Sequence, residues 1–207
     1  MTNRKRHDFF EVPHSITPSS FVIRHSSLRE RAFTVVELLV VIAIIIILAG
    51  LILSTVGYVQ KKGARSRAEA EIAAMSAALE NYKADNGIYP SNTDTNSLDA
   101  RTDGTTGSSY QTASLFLYNS LFSAVNGSRT STGKSYLSFK PNMLSPTDQT
   151  ASVQYVRDPF GNSYGYSTAL QADTANPPSH GYNPTYDLWS TAGLTSGTDS
   201  TQWIKNW

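Results

Sequence analysis

The chain contains no cysteine, and it has little histidine beyond its first 32 residues. The missing cysteines exclude a disulfide framework, a thiolate metal site and a cysteine nucleophile. Three of the four histidines precede residue 33, so only His180 remains for histidine-based catalysis in the rest of the chain. The composition therefore leaves little material for catalysis by histidine or cysteine.

An excess of positive charge is confined to the N-terminal end. Residues 1–32 have a net charge of +3, and residues 33–207 have a net charge of −2. The larger segment lacks the basic surface with which proteins bind nucleic acid. We therefore expect no nucleic-acid partner.

One long apolar run is present. The 22 residues from Leu38 to Val59 carry no charge, and as a helix they would span about 30 Å, the hydrocarbon thickness of a bilayer. Glu37 lies immediately before this run, in a segment that starts at Phe33. A carboxylate there is costly in lipid and usually has a partner. The pattern predicts a transmembrane helix with one functionally important acid near its start.

Residues 1–32 mix basic residues with prolines and serines and show no sustained periodicity. A basic segment directly before an apolar run predicts a targeting leader. The alternative is a cytoplasmic tail on a signal anchor that is never cleaved.

The helix is predicted to continue from Phe33 to Asp85, because residues 64–85 are rich in helix formers. Asn86-Gly87 supplies its end. Apolar side chains recur in this second half at alternating spacings of four and three, which predicts one buried stripe: Ala68, Ile72, Met75, Leu79 and Tyr82.

Beyond this helix the sequence predicts shorter elements. Residues 91–111 are rich in turn formers and predict a loop, and Thr112–Val125 predicts a short helix. Short aromatic and β-branched runs then predict a small antiparallel sheet. The candidate strands are Ser135–Phe139, Ser152–Val156, Ser163–Thr168 and Tyr186–Ser190.

The segment Gly127–Ser135 partly matches a phosphate-binding loop. Five residues separate its glycines where the motif has four, and it follows a predicted helix instead of a strand. We therefore predict no nucleotide site.

The segment from Arg31 to Leu39, RAFTVVELL, resembles the type III signal of type IV pilins and type II secretion pseudopilins. That signal is a basic leader and a small residue, followed by Phe-Thr-x-x-Glu-Leu and an apolar run. The resemblance implies cleavage by a membrane prepilin peptidase between Ala32 and Phe33, and N-methylation of Phe33. It also implies that Glu37 pairs with the N-terminal amine of a neighbouring subunit. The family prefers glycine at the position of Ala32.

Further segments are similar to the major pseudopilins of type II secretion systems: Tyr82–Pro90, Asp158–Tyr166, Tyr186–Ser190 and the final Asn206-Trp207. The resemblance covers roughly residues 31–90 and 157–207. Residues 91–156 have the character of a variable insertion.

Major pseudopilins of this kind carry a calcium ion in the loop between their last strands. Calcium prefers six to eight oxygen ligands. The corresponding loop, residues 191–202, contains one acid, Asp199, with Ser190 at its entrance. The resemblance therefore suggests Ser190 and Asp199 as calcium ligands, and the alternative is that Asp199 caps a turn.

We predict an α+β, type IV pilin-like fold in which a long N-terminal α-helix packs on a small antiparallel β-sheet. The helix has a membrane half and an amphipathic half. The predicted segments are a leader (1–32), a transmembrane and polymerisation half-helix (33–59), an amphipathic half-helix with its stop (60–90), a variable loop and short-helix region (91–156) and a C-terminal sheet region (157–207).

The predicted function is that of a structural subunit of a pseudopilus that supports type II protein secretion, without enzymatic activity. The chain would cross the inner membrane once, with a cytoplasmic N-terminus and a periplasmic C-terminal domain. Its expected partners are further copies of itself in a helical pseudopilus, minor pseudopilins, the prepilin peptidase and an inner-membrane assembly platform.

Two alternatives remain open. One is a major or minor type IV pilus pilin, against which the missing cysteines weigh. The other is a membrane-anchored periplasmic binding module or enzyme. Its candidate polar residues are Asp158, Asp173, His180 and Asp187.

Overall fold

Helix α1 extends from Val35 to Asn86, 52 residues, in a computed structural model that describes residues 33–102, 107–175, 178–194 and 200–207. It passes through both units into which the chain divides, Met1–Leu48 and Ala49–Trp207. Gly87 follows its end with a φ of 79°, a left-handed conformation that glycine adopts without steric cost. The predicted helix is thus confirmed to within two residues at each end.

The second half of α1 supplies the apolar stripe that its periodicity predicted. Ala68, Ile72, Met75 and Leu79 are buried in the core of the second unit, and Tyr82 packs partly buried against the same core. This half of the helix therefore gains its stability from tertiary packing as well as from helix propensity.

The segment predicted as a loop, residues 91–111, contains a second helix. Helix α2 covers Thr93–Ser97. It starts on a capping box in which the Thr95 amide donates to Asn92 Oδ1 and the Asn92 amide donates to Thr95 Oγ1, both at 2.9 Å. The loop prediction was wrong here because the same polar residues that favour turns also favour helix caps.

Helix α3 covers Ser108–Phe122, and so begins and ends earlier than the predicted Thr112–Val125. It ends at Ser123, which adopts a left-handed φ of 56° while its amide bonds to the carbonyl of Asn119. The prediction placed the stop at the following Asn-Gly pair, which forms its own turn with positive φ at both residues.

Two small antiparallel sheets follow, where the sequence predicted one. The first pairs β1 with β2, and the second has the order β3-β4-β5. The strands are β1 (Leu144–Ser145), β2 (Tyr155–Val156), β3 (Gly165–Ser167), β4 (Asp187–Ser190) and β5 (Ile204–Lys205). A short helix α4 (Ala169–Ala172) and 3-10 turns at Pro141–Met143 and Ser200–Gln202 complete the described elements.

Three of the four candidate strands are confirmed in shortened form as β2, β3 and β4. The fourth, Ser135–Phe139, is not a strand. The amides of Tyr136 and Leu137 both donate to the carbonyl of Leu121, at 2.7 and 3.2 Å, which ties this segment to the end of α3. The aromatic residues of this segment serve side-chain packing instead of strand pairing. Tyr136, for example, contacts the ring of Tyr82.

Aromatic side chains fill much of the space around the second sheet. Trp189 on β4 is fully buried and lies parallel to Trp203, with ring centroids 5.9 Å apart. Its indole lies directly over Gly165 on β3, where a Cβ would come within 2.3 Å of a ring carbon. Glycine at this position therefore lets the large ring pack against the sheet backbone.

A buried polar link joins α1 to the sheet region. The hydroxyl of Tyr164 donates to Glu71 Oε2 at 2.8 Å, and Arg67 Nε donates to Glu71 Oε1 at 2.7 Å. Burial is the main cause that raises the pKa of Tyr164 well above its usual value, so the phenol remains a donor at neutral pH.

Candidate assembly site

The first turn of α1 is closed by a capping box. The Glu37 amide donates to Thr34 Oγ1 at 3.1 Å, and the Thr34 amide donates to Glu37 Oε2 at 2.9 Å. The Thr34 hydroxyl also donates to Oε2, at 3.0 Å. Two backbone amides that no helix carbonyl can reach are therefore satisfied by side chains before the chain enters the apolar run.

Sequence reasoning assigned Glu37 an intermolecular role and missed this local one. The signal was present, because Thr-x-x-Glu before an apolar run is the sequence signature of a capping box. The hydrogen bonds of this capping box use only one of the two carboxylate oxygens of Glu37, Oε2. Within the described part of the chain, Glu37 Oε1 accepts no hydrogen bond. The carboxylate can thus cap its own helix and still accept from a second donor.

The apolar side chains that follow are not covered by any other part of the chain that the structure describes. Between Phe33 and Val59 the large apolar side chains are 40–83% exposed, and Phe33 is 80% exposed. The helix is long and apolar enough to cross a membrane. Soluble proteins rarely expose contiguous apolar surface of this extent, and such surfaces mark sites of contact with a membrane or with another protein.

The carboxylate of Asp158 is buried in the turn that opens the C-terminal segment. Oδ1 accepts from the amides of Phe160 and Asn162, at 3.0 and 2.8 Å, and Oδ2 accepts from the Ser190 hydroxyl at 2.5 Å. Burial raises the pKa of Asp158, although these hydrogen bonds oppose the shift. The Asp158 carboxylate therefore holds this turn against strand β4, which is a structural role.

Calcium was predicted at Ser190 and Asp199. Asp199 lies outside the described residues. The Ser190 hydroxyl is fully buried, donates to Asp158 and accepts from the amide of Ala192 at 3.1 Å. Among the described residues no three His, Cys, Asp or Glu side chains form a group that could hold a metal ion. The calcium site at Ser190 and Asp199 therefore stays a prediction.

The remaining candidates for a catalytic constellation have structural contacts. Asp187 is buried and accepts from the amides of Tyr182 and Asn183, at 2.8 and 2.9 Å, while burial raises its pKa. It therefore stabilises the turn before β4.

Asp173 and His180 lie together beside Ser179, but not as a catalytic triad. The Ser179 hydroxyl and Asp173 Oδ2 both face the same ring nitrogen, Nδ1 of His180, at 3.1 and 2.9 Å. In a triad the serine and the carboxylate contact opposite ring nitrogens. Amides of Ala175 and Ser179 also bond to Asp173, and these bonds together with His180 hold the pKa of its carboxyl well below the usual range. The cluster orders a turn.

The structure has the predicted long N-terminal helix, and the first half of this helix is apolar and exposed. Antiparallel strands follow as predicted, but they form two small sheets instead of one. The fold is α+β and agrees with that of type IV pilin-like proteins. No polar cluster described above has the arrangement of an active site, so the candidate site is the helix start with its exposed apolar surface.

Comparison with known proteins supports the assignment to the type IV pilin-like class. The chain is 39% identical over 66 residues to type II secretion system core protein G of Pectobacterium carotovorum subsp. carotovorum, covering 32% of this chain and 42% of that protein. It is 39% identical over 62 residues to core protein G of Escherichia coli K12, covering 30% and 43%. The protein of the same name from Klebsiella pneumoniae is 37% identical over 62 residues, covering 30% and 44%.

The chain thus spans less than half the length of each of these relatives. No family model matches the sequence, and no solved structure matches it. The resemblance to type II secretion pseudopilins that the sequence predicted is confirmed by the curated relatives, over about a third of the chain.

Proposed function

We propose that this chain is a structural subunit of a pseudopilus, assembled from the inner membrane through helix α1 to support type II protein secretion. The observation that carries the proposal is the exposed apolar surface between Phe33 and Val59. It is continuous with a half-helix that is packed into a folded unit. A helix built in this way is anchored by one half and presents a folded domain on the other.

The same apolar surface serves two states. In the membrane the lipid tails cover it, because 22 uncharged residues match the hydrocarbon thickness. In the fibre the corresponding helices of neighbouring subunits cover it. Transfer between the two states exchanges one apolar environment for another, so the hydrophobic effect contributes little to the difference in free energy between them.

Glu37 gives this assembly its axial register. Its Oε2 atom caps the helix, and its Oε1 atom is available to the N-terminal ammonium of a neighbouring Phe33 after the leader has been removed. An ammonium and a carboxylate that meet in an apolar bundle satisfy each other, and a subunit displaced by one turn leaves both charges unpaired.

The proposal includes the partners that the resemblance implies. A membrane prepilin peptidase removes residues 1–32 and methylates Phe33. The N-terminus faces the cytoplasm and the C-terminal region faces the periplasm. Minor pseudopilins and an inner-membrane assembly platform complete the fibre. The subunit catalyses no reaction, in keeping with the structural contacts of Asp158, Asp173 and Asp187.

Intact-mass analysis of the protein purified from membranes tests the proposal. We expect a species that begins at methylated Phe33, lacking the 32 leader residues. Ala32→Gly should be processed at least as completely, because glycine is the residue that the family prefers, and Ala32→Leu should retain the leader. A wild-type protein that keeps residues 1–32 while the glycine variant is cleaved shows that alanine blocks processing. Retention of residues 1–32 in both the wild type and the glycine variant rejects the pseudopilin role.

A further inference from the structure

A group of cations follows directly after the apolar run of α1. Lys61 lies two residues after Val59, and Lys62 and Arg65 follow on the next turn. At 1.5 Å per residue these three lie about 3–9 Å beyond the end of the uncharged run. The headgroup layer on each side of a bilayer is about 5–8 Å thick. The three cations therefore lie at headgroup depth if the uncharged run fills the hydrocarbon layer.

These side chains line an open cleft of about 430 Å³, within the range of small-molecule sites. Its residues come from α1 and from three C-terminal turns: Tyr58, Lys61, Lys62, Arg65, Phe160, Ala192 and Gln202. Arg65 Nη1 donates to the carbonyl of Gln202 at 2.9 Å, which fixes the guanidinium at the cleft wall.

The cleft is positively charged. Its lining has three cations and no acid. In the described part of the chain Lys61 and Lys62 form no ion pair, and Arg65 meets Glu69 at 3.5 Å, with both side chains about half exposed. An exposed pair of this kind is screened by water and leaves much of the positive potential in place. Arg67, by contrast, is bonded to Glu71 at 2.7 Å.

We infer that this cleft binds the phosphate of an anionic phospholipid headgroup, of the phosphatidylglycerol class. Lysine and arginine are the side chains with which proteins hold phosphate. Tyr58, which is 71% exposed, suits the aromatic belt found at membrane interfaces. The inference rests on the proposed membrane-spanning role of α1.

The proposed topology strengthens this inference. Cations that flank a transmembrane helix favour the cytoplasmic side, and here several lie on the opposite side. A lipid phosphate offsets their charge there. Bound lipid would hold the base of the folded unit at the membrane surface until the subunit is extracted into a fibre.

Native mass spectrometry of the full chain in detergent, with equal amounts of phosphatidylglycerol and phosphatidylcholine, tests the inference. The wild type should retain phosphatidylglycerol in preference to phosphatidylcholine. A lysine near an anionic membrane surface contributes about fivefold in affinity, so Lys61→Gln/Lys62→Gln should lower the ratio of the two adducts at least about tenfold. Two control variants should keep the wild-type ratio of adducts: Lys61→Arg/Lys62→Arg, which preserves the charge, and Lys83→Gln/Lys140→Gln, which removes two remote lysines.

Several outcomes would overturn the inference. Equal retention of both lipids in the wild type is one, and an equal loss of selectivity in the remote pair is another. Displacement of the lipid by an equal concentration of inorganic phosphate would assign the cleft to the free ion. If the lysine-to-glutamine pair keeps lipid selectivity but loses cross-linking to a second copy, the cations serve subunit contacts. Resistance of the variants to carbonate extraction reports membrane anchoring separately, so loss of lipid selectivity is distinguishable from failure of the proposed function.

Discussion

Replacing Glu37 with glutamine separates the two uses of this side chain. Glutamine at the third helical position still accepts the Thr34 amide, so the capping box survives. The negative charge is lost. Thr34→Ala does the opposite, because it removes the hydroxyl that receives the Glu37 amide at 3.1 Å and leaves the carboxylate in place.

The two variants should differ strongly in assembly. Loss of a helix cap costs about 1 kcal/mol and affects only the first turn. Loss of one partner from a buried ion pair costs about 3–5 kcal/mol, since the remaining ammonium stays unpaired in an apolar bundle. That range corresponds to roughly a hundredfold to several-thousandfold weaker association of neighbouring subunits.

Assembly can be measured as the fraction of subunits cross-linked into multimers in membranes that contain equal amounts of each variant. Circular dichroism of the purified proteins in detergent reports the loss of the first helical turn. We expect Glu37→Gln to abolish multimers with unchanged helix content, and Thr34→Ala to assemble with a small loss of helicity. If Glu37→Gln assembles normally while Thr34→Ala does not, the carboxylate serves only its own helix and the register argument fails.

Three further predictions concern the folded unit, measured by thermal unfolding of the full chain in detergent. Gly165→Ala forces a Cβ to within 2.3 Å of the buried indole and should cost about 1–3 kcal/mol of stability. The control Gly63→Ala, whose Cβ would meet nothing within 4 Å, should stabilise the helix by about 0.5–1 kcal/mol. Equal melting temperatures of the two variants would refute this. Because burial raises the pKa of Asp158, the folded state binds its proton more tightly than the unfolded state, so this carboxyl contributes stability that is present below pH 3.8 and lost as the pH rises through its folded pKa. Asp158→Asn should therefore gain stability relative to the wild type between pH 4 and pH 7, and parallel pH curves would contradict it. Tyr164→Phe deprives Glu71 of a donor at 2.8 Å and should cost about 1.5–3 kcal/mol; an unchanged melting temperature would show that water replaces the phenol.

The long helix and its buried stripe were predictable because both depend on local periodicity. Charge-free length identified the membrane half, and spacings of three and four identified the residues that now lie in the core. The capping box of Thr34 and Glu37 was equally local, and its spacing was visible in the sequence.

The short strands were harder to predict, because an element of two or three residues has too little pattern to separate it from a packed loop. Ser135–Phe139 has the composition of a strand, yet its amides bond to the end of α3. Strand β5 has only two residues and forms because β4 offers it an edge. Pairing of this kind depends on which segments meet in space.

The exposed apolar surface of α1 and the position of Glu37 at its start were determined by the sequence itself, since a helix needs only its own backbone hydrogen bonds and a run of apolar side chains. Only the tertiary structure decided what the polar residues do. It buried Asp158 in contact with Ser190, and it placed Ser179 and Asp173 at the same nitrogen of His180. It also placed Lys61 and Lys62 in a cleft whose other side is formed by turns distant in the sequence. The contact of Asp158 with Ser190 and the cleft around the lysines join residues far apart in the chain. The chemistry of all three groups follows from distance and burial instead of sequence spacing.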